Sequence, residues 1–126
     1  MTYPNPSVYL IEPDPDEKAR LAAVLAGFTH AVVALDGARA FFAVRPVEEY
    51  ACVLAALELP DMDILDFVAS AGRILPVIVL GRTDELCVAV DIMRAGAVDF
   101  LERPSDARRL RAAVRGATKG LQPGEP

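Results

Sequence analysis

Five short apolar segments, each followed by a helical pattern, constrain this 126-residue chain more than any other feature. Val8-Tyr9-Leu10-Ile11 and Val77-Ile78-Val79-Leu80 are continuous apolar runs, not alternating ones. Strands read that way when both of their faces are buried, as in a parallel sheet covered by helices. Ala31 to Leu35, Cys52 to Leu57 and Val98 to Leu101 are three further segments of similar length.

The stretches between them carry helical signals. Asp14-Pro15-Asp16-Glu17 predicts a helix start, with Asp14 as N-cap, Pro15 in the first turn and Glu17 closing a capping box. Leu21, Val24, Leu25 and Phe28 then fall on one apolar face. A second helix is expected from Ala38 to Val44, presenting Phe41 and Phe42 and stopped by Pro46. A third covers Ile64 to Ala71, a fourth runs from Asp84 to Ala95 and ends at Gly96, and a fifth covers Ala107 to Thr118. Strand then helix, five times over, predicts an α/β domain: a doubly wound parallel sheet with helices on both faces. In such open sheets the functional crevice lies at the carboxyl ends of the strands. Here those ends are Glu12-Pro13, Ala56-Leu57, Gly81-Arg82 and Arg103-Pro104.

Hydrophobic residues make up 53% of the chain and charged residues 25%, enough apolar material for a core without metal or disulfide staples. One domain is expected over residues 1–118, with the Gly/Pro-rich stretch 119–126 as a linker or frayed end. Thirteen basic against eighteen acidic side chains leave a net charge of −5, which argues against direct nucleic-acid binding by this domain. No apolar run approaches the roughly 20 residues of a membrane span. The N-terminus lacks a signal core, and Cys52 and Cys87 suit a reduced compartment, so the expected location is cytoplasmic. The cysteines read as small core or helix-face thiols, and His30 has no ligand-type partner at useful spacing. There is no metal motif, catalytic triad pattern, phosphate loop or GxGxxG, so neither an enzyme nor a cofactor is expected.

At the strand ends the chain resembles the receiver domain of bacterial two-component response regulators, over about residues 7 to 118. The resemblance rests on Ala95-Gly96-Ala97-Val98-Asp99-Phe100-Leu101-Glu102-Arg103-Pro104 and Leu59-Pro60-Asp61-Met62-Asp63. Pro76-Val77-Ile78-Val79-Leu80 and Val8-Tyr9-Leu10-Ile11-Glu12 add to it. It implies a flavodoxin-like sheet of five strands in the order 2-1-3-4-5. It also implies phosphoryl transfer from a kinase histidine to an aspartate at the end of strand three. Mg²⁺ is then held by acidic residues at the end of strand one, and a hydroxyl and a lysine hold the phosphoryl oxygens. The style is that of receivers commonly fused to a helix-turn-helix, DNA-binding output domain.

Carried over position by position, the chemistry departs from that pattern. The nucleophile position, four before Pro60, holds Ala56. The acidic pair becomes Glu12 and Pro13, the hydroxyl position Gly81, and the lysine position Arg103. Phe100 keeps the aromatic position that often switches in the family. Without its trigger hydroxyl, Phe100 reads more simply as a static strand residue packed against the fourth helix. Glu12 and Arg103 either pair across the old crevice or stand solvated at its rim. Glu58, Asp61 and Asp63 read as a solvated acidic loop.

Function is therefore expected from a phosphorylation-independent, metal-free signalling module working through a protein partner or a homodimer. Charge is unevenly placed: residues 1–90 carry six basic and thirteen acidic side chains, while 91–126 carry seven and five. The arginines of the last helix are either a solvated face or an interaction face. In the latter case Asp91, Asp99, Glu102 and Asp106 would meet Arg94, Arg108, Arg111 and Arg115 across a two-fold axis, on the surface of helix four, strand five and helix five, or the helix-five arginines would instead bind an acidic partner. An alternative is a small-molecule sensor whose vacated pocket, flanked by Arg82 and Arg103, takes an anionic ligand.

Overall fold

The apolar runs become the strands of one parallel sheet in the computed structural model, which describes residues 5–44, 50–82 and 86–121. In chain order the elements are β1 (Ser7–Ile11), α1 (Pro15–Ala26), β2 (Val32–Leu35), α2 (Ala38–Val44), β3 (Ala51–Ala56), α3 (Ile64–Ala71), β4 (Val77–Gly81), α4 (Leu86–Ala95), β5 (Asp99–Glu102) and α5 (Ala107–Thr118). A 3-10 turn, Lys119–Leu121, continues α5 into the first part of the expected tail. The strand order is β2-β1-β3-β4-β5, with every neighbouring pair parallel. Pro46, Asp84 and residues 122–126 lie outside the described residues.

Strand periodicity divides the core in two. Val8 and Leu10 of β1 join Cys52, Leu54, Ile78, Leu80 and Leu101 on the face covered by Leu21 and Leu25 of α1 and Leu110 and Val114 of α5. Tyr9 and Ile11 join Val53, Val77 and Val79 on the other face, under Phe41 of α2, Phe67 and Val68 of α3 and Ile92 of α4. On that side Tyr9, Phe42 and Phe67 meet Phe41 edge to face, with ring centroids 5.3–5.7 Å apart. Cys52 is fully buried, and burial pushes its thiol pKa up to about 12, as suits a core residue. The side chain of Cys87 lies outside the described residues.

Local signals place the helix ends. Asp14 caps α1 by accepting a 3.0 Å hydrogen bond from the Glu17 amide. The reciprocal half of the expected capping box is not made. The Asp14 amide donates instead to Glu12, and the Glu17 carboxylate turns to Arg20 because cations there outcompete a neutral amide. The helix also stops at Ala26, with Gly27 as cap, so Phe28 lies just past it. Asp63 and Asp106 cap α3 and α5. Gly96 follows α4 at φ +123°, a conformation that favours glycine.

Candidate functional site

The carboxyl ends of β1, β3, β4 and β5 converge on a crevice, held together by backbone bonds between strand ends. The Leu57 amide donates to the Leu80 carbonyl at 2.9 Å and the Arg103 amide to the Gly81 carbonyl at 2.7 Å. A cavity of about 320 Å³ opens there, lined by Glu12, Pro13, Asp14, Glu17, Ala56, Leu57, Glu58, Leu80, Gly81, Arg82 and Arg103. Topology thus gathers Glu12, Pro13, Ala56, Gly81 and Arg103, the five positions singled out in the sequence.

Glu12 and Arg103 form an ion pair. Glu12 is only 4% exposed, a costly place for a carboxylate without partners. One of its oxygens accepts from Arg103 Nη2 at 2.6 Å and the other from the Asp14 amide at 3.2 Å. Arg103 also approaches Glu17 at 4.0 Å, and Glu17 pairs with Arg20 at 2.6 Å. Charges therefore alternate from the buried crevice out to the surface of α1. Ala56 places a buried methyl at the end of β3, and Pro13 contributes no side-chain donor. Among the described residues no three acidic, histidine or cysteine side chains converge as metal ligands. The donor set does not fit a magnesium ion, since its one buried carboxylate is engaged by a guanidinium.

Phe100 sits directly against Gly81. A Cβ built on Gly81 would lie 2.9 Å from Cε2 of the ring and closer still to Cζ. The ring therefore occupies the space that a hydroxyl-bearing side chain at position 81 would need. It packs against the α2–α3–α4 side of the core while remaining half-buried.

Asp61 is not simply part of a solvated loop. Its carboxylate accepts 2.9 Å hydrogen bonds from the amides of both Ala38 and Arg39, so it caps α2 from the β3–α3 loop. Those two amides hold its carboxyl below the ordinary aspartate range. A Cβ at Gly37 would stand 2.9–3.1 Å from that carboxylate, so the preceding glycine permits the approach. A contact between residues 22 and 23 positions apart has no local sequence signal; Gly37 is the only hint. Asp63 accepts from the Leu65 amide at 2.8 Å, and Glu58 is exposed at the crevice.

The interaction residues separate. Asp91 and Arg94 are exposed on α4, and Glu102 and Asp106 are exposed at the β5–α5 end. Asp99 sits beside Ala113 and Gly116 of α5. Arg108, Arg111 and Arg115 instead line a groove against α1, on a different flank of α5 from Asp99. Arg109, read in the sequence only as part of the basic load of the last helix, shares a hollow with Phe100, Glu102 and Asp106.

Residues 8–115 match the family model described as the response regulator receiver domain. The chain belongs to that family. Among curated receiver proteins it is 28% identical over 119 residues to the transcriptional regulatory protein FixJ of Bradyrhizobium diazoefficiens, covering 92% of this chain and 58% of FixJ. It is 32% identical over 120 residues to the response regulator protein FleR of Pseudomonas aeruginosa, covering 93% of this chain and 25% of FleR. A crystal structure of full-length FixJ from B. japonicum superposes with a TM-score of 0.83 at 26% identity, over 95% of this chain and 61% of that one. This receiver domain thus spans little more than half of FixJ and a quarter of FleR. No helix among the described residues is long and apolar enough to cross a membrane.

Proposed function

We propose that this receiver domain signals without phosphoryl transfer, as a non-enzymatic protein-interaction module of a cytoplasmic response regulator. The observation that carries this is the buried Glu12–Arg103 pair facing the Ala56 methyl. At the strand ends themselves Glu12 is engaged and Ala56 offers no nucleophile; Glu58, two residues past the end of β3, is exposed at the rim. An arginine already neutralises the carboxylate that a cation would otherwise hold. Phe100, lodged against Gly81, supports the same conclusion, because no hydroxyl is present to couple its position to a bound phosphoryl group.

The output surface proposed is that of α4, β5 and α5. Val90, Met93 and Val98 are exposed there at 42–47%, among Asp91, Arg94, Asp99, Glu102, Asp106 and Arg109. Apolar side chains inside a ring of mixed charge are what a self-complementary contact needs. Since FixJ and FleR extend well beyond the matched region, and FixJ is named a transcriptional regulator, a DNA-binding output domain following this one is part of the proposal. The anionic-ligand alternative has less support, because the Arg103 guanidinium is tied to Glu12.

Two measurements test the proposal. Intact mass after incubation with acetyl phosphate and Mg²⁺ should show no added phosphoryl group; stoichiometric addition overturns it. Sedimentation across a dilution series, with no phosphodonor, should show a concentration-dependent dimer that Met93→Glu abolishes. A monomer at high concentration overturns the homodimer and leaves a heterologous partner.

A further inference from the structure

Across the sheet from α4, a groove of about 620 Å³ runs between α1 and α5. Its floor is apolar, made by Val24 of α1, Phe28 just past that helix and Ala112 of α5, and its rim is Arg108, Arg111 and Arg115. All three arginines are exposed, and none makes an ion pair among the described residues. Helix stability accounts for Arg115, a cation in the last turn of α5, but not for the row as a whole. Arg108 stands in a first turn that has no acidic residue, where the helix dipole disfavours a cation. Arg108, Arg111 and Arg115 are also i,i+3 and i,i+4 neighbours, and like charges at those spacings repel. This cationic row sits on a chain whose net charge is −5.

We propose that the groove docks an acidic amphipathic helix from a partner protein. Arg108 to Arg115 spans two helical turns, about 10 Å. A helix laid alongside would match that row with carboxylates at i, i+3 or i+4, and i+7, and would place its apolar stripe over Val24, Phe28 and Ala112. Charge complementarity selects the acidic partner, and the apolar floor selects an amphipathic one. Duplex DNA is a poor occupant, since three arginines on an acidic domain give a small phosphate footprint.

Fluorescence anisotropy with the whole chain tests this. The probes are a labelled helical peptide with a leucine stripe flanked by glutamates, its twin with lysine for each glutamate, and a short DNA duplex. The acidic peptide should bind, the lysine twin and the duplex should not, and the affinity should fall with added salt. Converting Arg108, Arg111 and Arg115 together to Glu should weaken binding about tenfold or more at an unchanged melting temperature. Met93→Glu should leave it unchanged. Equal binding by the lysine peptide, preference for the duplex, no binding of the acidic peptide, or indifference to the arginine variant each overturns the proposal. The groove is separate from the crevice and from α4, so its failure leaves phosphorylation-independent signalling untouched.

Discussion

Gly81→Ala is the smallest change that interrogates the crevice. The added methyl would stand 2.9 Å from Cε2 of Phe100, nearer still to Cζ, and 3.4 Å from Leu57 Cδ2. Backbone strain does not enter, because among the described glycines only Gly96 has a positive φ. The ring must move or the strands must part. Inserting one methyl into a packed site costs about 1–3 kcal/mol. Expelling a half-buried phenylalanine forfeits about 1 kcal/mol of burial, half the low-to-middle value for a fully buried one. The cost is then about 1–2 kcal/mol, or a fall in Tm of about 4–8 °C for a domain of this size. Urea denaturation of Gly81→Ala, Phe100→Ala and the double variant supplies the assay. In the Phe100→Ala background the clash partner is gone, so Gly81→Ala should be neutral or slightly stabilising. The cycle should therefore return a coupling of about 1–2 kcal/mol. An equal cost of Gly81→Ala in both backgrounds would refute the account of Phe100 as the occupant of that space. If the ring also shapes the output surface, the single variant should change self-association and the double should not reproduce that change.

Arg103→Ala leaves Glu12 buried without its cation and should destabilise the domain by about 2–3 kcal/mol, whereas replacing Glu12 and Arg103 together with Gln and Met should cost much less; thermal melts compare them. Asp61→Ala should loosen α2, read as faster amide hydrogen exchange at Ala38 and Arg39. Because the folded-state pKa of Asp61 is depressed, its stabilisation is present above the ordinary aspartate range and lost as pH falls through the depressed value. The stability gap between wild type and Asp61→Ala should therefore close in acid; a gap constant with pH contradicts the assignment. Cys52 should resist iodoacetamide at pH 8 in the native state and react in urea, as followed by peptide mass spectrometry.

What the chain's order of residues determined by itself is local. Short apolar segments marked the five strands, and Asp14 was legible as a helix cap because a cap acts on amides two or three residues away; Asp63, read as a solvated loop acid, and Asp106, read as an interaction residue, cap α3 and α5 by the same short-range contact. That Ala56 carries no carboxylate and Gly81 no hydroxyl was also legible, since it needs no coordinates. Tertiary structure decided everything that depends on distant partners. Glu12 and Arg103, 91 residues apart, had two arrangements open until the ends of β1 and β5 were brought to one crevice. Asp61 looked like a solvated acid until the β3–α3 loop met the start of α2, and the Phe100 ring could be set against Gly81 only by the register of β4 on β5. The arginines of α5 were a single charged helix in the sequence; packing against α1 on one flank and β5 on the other divided them between two surfaces. Periodicity names the buried face of a helix, but only its neighbours decide what each exposed flank confronts.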